Sequence, residues 1–200
     1  MRIISAITAI LLGSSAMAAD VPVTTATTTK TALFGGGCFW CMQPGFDNTP
    51  GVVATSVGYT GGTKADATYE RVSSGRTGHV EVIQITYDPS KVKYETLLET
   101  YWENIDPTDG AGQFADKGSQ YKAAIYYADD AQKLAAENSV EPIAKKFAPK
   151  PILVKIIPAT PFYAAEDYHQ KYYQKNKIHY NLYKHGSGRA GFIKENWGEK

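Results

Sequence analysis

The only two cysteines of this 200-residue chain, Cys38 and Cys41, lie three positions apart, so no disulfide can tie one part of the fold to another. A C-x-x-C pair closes a loop of a few residues, and the stabilisation from a cross-link grows with the loop it closes. The fold must therefore rest on a packed apolar core, and the pair is better explained by chemistry than by architecture. The N-terminus sharpens this point, because it reads as an export signal. Arg2 supplies a charge, residues 3–12 an apolar stretch and Ala16-Met17-Ala18 an A-x-A cleavage site. That stretch falls short of the about 20 residues needed to span a bilayer. A buried first helix is the competing reading, but the order of charge, apolar core and small residues favours a signal over residues 1–18. The expected location is secreted or periplasmic, and no lipobox cysteine follows to suggest an anchor. Exported proteins stapled by disulfides carry several dispersed cysteines, which this chain lacks.

Residues 19–30, rich in Thr, Val and Ala, read as a flexible leader, and residues 31–200 as a single domain. About 180 residues suffice for one substantial core. Lys and Arg number 21 and Asp and Glu 20; loss of Arg2 with the signal brings the formal charge from +1 to 0. No basic cluster gives a nucleic-acid or membrane footprint. Tyrosine, with 14 copies, is the unusual component and can line a cleft with rings that carry donors. No coiled-coil pattern or obvious apolar stripe argues against a monomer.

Residues 31–34 read as a short buried strand running into Gly35-Gly36-Gly37, and Cys38 then opens a short helix or turn that Pro44-Gly45 must end or bend. Residues 52–59 and 79–87 read as strands. Ser90 is the expected cap of a helix whose apolar positions Tyr94, Leu97, Leu98, Tyr101 and Trp102 follow helical spacing. A strand over 121–127, a helix over 130–147 broken at Pro142, a strand over 152–157 and a helix over 164–175 follow. From Asn176 the polar, Gly-containing tail reads as coil. Strands interleaved with helices predict an α/β (α+β) two-layer sandwich, with strand order left open.

Glycine before Cys38 lets the backbone approach closely and adopt positive φ. Free N–H groups and the helix dipole would then favour the thiolate and lower the Cys38 pKa. Cys41 lies on the same helix face and within reach for a disulfide. A C-x-x-C alone fits a redox pair, half a zinc site or a staple. Zinc is weakly supported, because His79, His169, His179 and His185 are scattered and no second Cys pair exists. Phe39 and Trp40 either pack in the core or wall a small apolar recess beside the sulfur. Glu81 shares a strand face with Ile83 and Ile85, with Val80 and Val82 on the other. It is either a partly buried carboxyl of raised pKa, suited to general acid work, or a strand-end partner for a surface Lys. A general disulfide oxidoreductase and a non-catalytic metal- or peptide-binding module compete with a dedicated thiol enzyme; Glu81 and the Phe39-Trp40 pair favour the last.

The run Gly36-Gly37-Cys38-Phe39-Trp40, then Pro50-Gly51-Val52 and Gly58-Tyr59-Thr60-Gly61-Gly62, resembles the A-type methionine sulfoxide reductases. So do Tyr69-Glu70-Arg71-Val72, Ser74-Gly75-Arg76-Thr77-Gly78-His79-Val80-Glu81, Tyr87-Asp88-Pro89, Trp102-Glu103-Asn104 and Asp106-Pro107. Gly118-Ser119-Gln120-Tyr121 and the stretch from Phe162 through Glu166 and His169 to Gln170 complete the likeness, in the family's order and spacing. The resemblance implies an α/β-plait core with a mixed sheet, and thiol-dependent reduction of the S epimer of methionine sulfoxide, free or in proteins. It implies Cys38 as nucleophile, Glu81 as buried acid, Tyr69 and Tyr121 as donors to the sulfoxide oxygen, and Asp116 as an ordering acid. Phe39 and Trp40 correspond to the recess for the methyl group. Many members resolve the resulting sulfenic acid with a cysteine near the C-terminus. This chain has none, which leaves Cys41 as the internal resolving candidate and an external thioredoxin-like dithiol as reductant. No cofactor or metal is implied. Gln43 stands where many relatives carry Glu, and a minor effect is expected from that change.

Overall fold

The computed structural model describes residues 28–198, so the signal and residues 19–27 of the leader lie outside the described residues. β1 (Lys30–Gly35) leads into α1 (Phe39–Asp47), β2 (Val52–Thr60), the short α2 (Tyr69–Ser73) and β3 (Val80–Tyr87). α3 (Tyr94–Glu103), the two-residue strands β4 (Gly112–Gln113) and β5 (Asp116–Lys117), and β6 (Ala124–Tyr127) follow. Then come α4 (Asp130–Phe147), β7 (Lys155–Pro158), β8 (Tyr163–Ala164), α5 (Tyr172–Lys175), α6 (Lys177–Gly186) and α7 (Arg189–Trp197).

Six strands form one sheet in the order β7-β6-β1-β3-β2-β8. Neighbours are antiparallel except β6 and β7, which α4 joins as a parallel pair. Read along the chain, β1-α1-β2-β3-α3-β6 is a βαββαβ unit with β1 and β3 innermost, the α/β plait that the resemblance implied. Alternation sorts the side chains. Ala32, Phe34, Val57, Ile83, Ile85 and Ile125 pack under Met42, Phe46, Leu97, Leu98 and Tyr101 of the helices. Leu33, Val82, Ala124 and Tyr126 form a smaller cluster on the opposite face.

All five predicted apolar positions of α3 are buried, but Ser90 does not cap it. Ser90 instead donates through both its N–H and its hydroxyl to Asp88 Oδ1, at 2.9 and 2.6 Å, and closes the preceding turn. α4 runs unbroken through Pro142, held by Ala136 and Ile143 in the core. Tyr121 is not in a strand: Gly118, at φ +130°, starts a tight turn in which the Tyr121 N–H bonds back to the Gly118 carbonyl at 3.2 Å. β7 begins only at Lys155, because the Leu153 N–H is turned to the Pro107 carbonyl at 2.8 Å. Of the helix expected over 164–175, only α5 forms. The Gln170 amide brackets Val57 of β2, accepting from its N–H at 2.9 Å and donating to its carbonyl at 2.8 Å, and Lys171 sits at φ +54°. The expected coil tail is also corrected, since α6 and α7 are helices. Their buried faces are built from tyrosine and Arg189 rather than aliphatic residues, which hides the helical period among polar letters.

Candidate active site

β1 delivers the chain to the site through its glycines. Gly37 has φ +78°, and a Cβ there would lie 2.5 Å from Gln113 Cβ, so only glycine fits the approach. Cys38 occupies the N-cap of α1, and the Phe39 N–H behind it points into the space over β3. Glu81, 2% exposed on the helix-facing side of β3, accepts that N–H at 3.1 Å. Burial lifts the Glu81 carboxyl to about 8 against the pull of the Phe39 N–H, so it is uncharged near neutral pH.

The thiols depart from the expectation of a lowered Cys38 pKa. Burial pushes the Cys38 thiol well up, and its hydrogen bond to Cys41 and the carboxyls of Glu81 and Asp116 act the same way. The Cys41 thiol is lowered by that same hydrogen bond, with help from Arg189 and Lys184 against its own burial. Burial is the main reason, and the helix start offers no relief there, since the Phe39 N–H is given to Glu81. The resting pair is therefore a neutral thiol beside a neutral acid, and both cysteines are reduced and buried.

Cys38, Phe39, Trp40, Tyr69, Glu81, Asp116, Tyr121 and Tyr183 line one recess of about 70 Å³. Every site residue read from the sequence is there except Cys41. Tyr69 starts α2 and is anchored by its N–H to Glu166 Oε1 at 2.8 Å, while Glu166 Oε2 accepts the Tyr59 hydroxyl at 2.9 Å. Trp40 donates its indole N–H to His169 Nδ1 at 2.9 Å and stacks on Tyr172 with centroids 3.9 Å apart. Burial raises the Tyr69 and Tyr121 hydroxyls above their ordinary values, which keeps both as neutral donors. Gln43 uses both ends of its buried amide, donating to Thr55 Oγ1 at 3.0 Å and accepting the Lys171 N–H at 2.8 Å.

Tyr183 was not foreseen. It reaches in from α6, donates its hydroxyl to Asp116 Oδ2 and closes the recess over Cys38. The signal available was the run of tyrosines at 172, 173, 180 and 183, too many aromatic rings for a coil lying on the surface. Cys41, one helical turn behind Cys38, lines a different cavity of about 660 Å³ between α1, α3, α6 and α7. Among the described residues no group of three or more His, Cys, Asp or Glu is placed to hold a metal ion, and no helix is long and apolar enough to cross a membrane.

A buried C-x-x-C pair opening a helix of an α/β plait, with its first thiol facing an uncharged acid and phenol donors, defines a thiol oxidoreductase. The family model described as Peptide methionine sulfoxide reductase matches residues 30–200. A Peptide methionine sulfoxide reductase MsrA of Bacillus subtilis is 54% identical over 170 residues, covering 84% of this chain and 96% of the relative. Methionine sulfoxide reductase A of Corynebacterium diphtheriae superposes with a TM-score of 0.72 at 38% identity, over 77% of this chain and 78% of that one. Mxr1 of Saccharomyces cerevisiae in reduced form gives 0.70 at 30% identity, over 74% and 86%. The same yeast protein in complex with Trx2 shares the fold, with a TM-score of 0.51 at 21% identity over 75% and 91%. The chain belongs to the peptide methionine sulfoxide reductase family, as an enzyme of the MsrA, peptide-methionine (S)-S-oxide, type.

Proposed function

We propose that this protein reduces the S epimer of methionine sulfoxide, free and in proteins, with Cys38 as nucleophile. The observation that carries the mechanism is the shared recess in which Cys38 meets a carboxylic acid kept protonated by burial. Phe39 and Trp40 receive the methyl group, and the Tyr69 and Tyr121 hydroxyls donate to the sulfoxide oxygen. Asp116, fixed by Tyr183, orders that wall. As the Cys38 sulfur attacks, Glu81 protonates the oxygen and the Cys38 proton replaces the one Glu81 gave up. The oxygen transfers to Cys38 as a sulfenic acid, the methionine sulfur gains two electrons, and methionine leaves. Cys41 then attacks Cys38, forming a disulfide and releasing water. A thioredoxin-like dithiol reduces the disulfide without a cofactor; the complex of yeast Mxr1 with Trx2 supports a partner of that kind. Residues 1–18 act as a cleaved signal, so the monomeric enzyme repairs oxidised proteins of the exported compartment.

The test is an epimer-resolved assay. Purified mature protein with dithiothreitol is expected to reduce an N-blocked methionine S-sulfoxide and to spare the R epimer. Turnover of the R epimer alone, or of neither, overturns the assignment. Cys38→Ser abolishes even one turnover. Cys41→Ser releases one methionine per enzyme and then stalls with thioredoxin; undiminished thioredoxin-driven turnover would show that Cys41 is not the resolver.

A further inference from the structure

The recess around Cys38 has room for about 70 Å³, well under the about 300–1,000 Å³ of pockets that enclose a whole ligand. It takes the methyl and sulfinyl end of an oxidised methionine but not the backbone that bears it. The chain on either side of that methionine must lie on the rim, and the rim is apolar. Tyr168, Ile178 and Leu182 are 55%, 81% and 70% exposed, half of the six large apolar residues exposed among those described. Helical geometry places the last two. His179 and Tyr183, four apart, form the inner stripe of α6: the His179 ring meets Trp40 edge-on with centroids 6.2 Å apart, and Tyr183 lines the recess. Tyr180 and Lys184 lie about 100° round to one side and face the cavity at Cys41. Ile178 and Leu182 lie about 100° round to the other. Tyr180 is buried and Ile178 exposed, so the side of α6 left open beside the recess is the one that carries Ile178 and Leu182. Beyond the Tyr69 wall, the Tyr168 ring is 4.2 Å from that of His169, which is 4.4 Å from that of Tyr69. From Tyr168 to Lys184 the sequence holds four lysines and no acid.

We infer that Tyr168 on one shoulder of the recess, and Ile178 with Leu182 on the other, select among protein substrates by seating apolar side chains that flank the oxidised methionine. The inference rests on the proposed function and adds the sequence preference of the same site. In an extended segment the residues two positions before and after methionine share its face, about 7 Å away along the strand. With the sulfoxide in the recess, those two side chains come down on the shoulders. Apolar ones cover Ile178, Leu182 and the Tyr168 ring and remove them from water. Basic ones meet Lys175, Lys177 and Lys184 with no acid nearby in that stretch, and like charges discriminate against a partner. The recess reads the sulfoxide; the shoulders read its neighbours.

The test compares blocked pentapeptides X-Gly-Met(O)-Gly-X, as S-sulfoxides with X as Leu, Gly or Lys, with N-blocked methionine S-sulfoxide. Dithiothreitol serves as reductant, so that docking of a protein reductant does not enter. The expected kcat/KM is about tenfold higher for the Leu peptide than for the Gly peptide, as partial burial of two aliphatic side chains provides, and lowest for the Lys peptide. The double variant Ile178→Gln, Leu182→Gln changes exposed positions to a residue that also favours helix. It is expected to lose most of the preference for Leu while reducing the N-blocked sulfoxide at the parent rate. Equal kcat/KM for the three peptides overturns this inference and leaves the reductase activity standing; failure to reduce any S-sulfoxide overturns the proposed function and this inference with it. A double variant that keeps the preference, or that loses the N-blocked sulfoxide equally, also overturns the inference. So does one impaired only when thioredoxin replaces dithiothreitol, which would assign the α6 shoulder to the reductant.

Discussion

Glu81 holds its proton through burial, and that single fact sets how the site should answer to pH. Its carboxyl is lifted to about 8, with the Phe39 N–H pulling the other way. A general acid works only in its protonated form. Methionine release in a single turnover is therefore expected to hold steady through neutrality and to fall as pH rises through about 8. Glu81→Gln keeps an oxygen for the Phe39 N–H but cannot give up a proton as readily. A loss on the order of 10²-fold is expected, in line with general acid catalysis, together with loss of the alkaline fall. Rapid-quench rates across that range check both, and a variant within a few-fold of the parent refutes the acid role. Strand alternation put the residue on the face of Ile83 and Ile85 but left it either a buried acid or a strand-end partner for a Lys, and only the family resemblance singled out the acid. Its partner was not legible. That the first helical N–H would bond to Glu81, and so leave Cys38 without that donor, depends on how β1 and β3 register.

At the level of elements, the plait core was readable because its signals are aliphatic and periodic, and α3 shows this at all five of its positions. The elements that close the site were not. α6 and α7 contain Gly186 and Gly191, with Gly188 between them, and what they bury is Tyr180 and Arg189. Docking onto α1 and α3, rather than local propensity, makes them helices. Arg189 is the clearest anchor. It is 1% exposed, donates to the Gly36 carbonyl at 2.8 Å and to the Asn104 carbonyl, and stacks over Phe114 at 4.6 Å. Arg189→Met leaves one buried and one half-buried carbonyl without their donor, so a loss of about 2 kcal/mol is expected. Arg189→Lys should recover little of it, because a single ammonium cannot fork between two acceptors. Urea denaturation of the three proteins decides this; a full rescue by Lys would show that charge, not geometry, holds the tail.

For the whole molecule, the same buried acid works against stability. The folded-state pKa of Glu81 is raised from the ordinary 4.5 to about 8, so the native state binds the proton more tightly than the unfolded chain. That contribution is complete below about 4.5 and is lost as pH climbs through about 8. Asp88 has the opposite sign. The Ser90 hydroxyl holds its carboxyl below the ordinary value, so its contribution is present at neutral pH and fades in acid. Thermal unfolding is expected to show Glu81→Gln gaining stability over the parent near pH 8.5 and little near pH 4.5, the alkaline gain following from the linkage of proton binding to folding. Equal Tm differences at both would contradict a buried, proton-holding Glu81.

The Arg189 bond to Gly36 joins positions 153 apart in the chain, and Tyr183 closes the recess from nearly as far. During synthesis the plait strands emerge and can pair long before either residue exists. The reacting sulfur therefore stays an unfinished centre until the end of the chain has docked. A product that stops short of Tyr183 would hold the residues of every sheet strand yet lack the wall that shapes the pocket, so a formed sheet and a finished site are separate events.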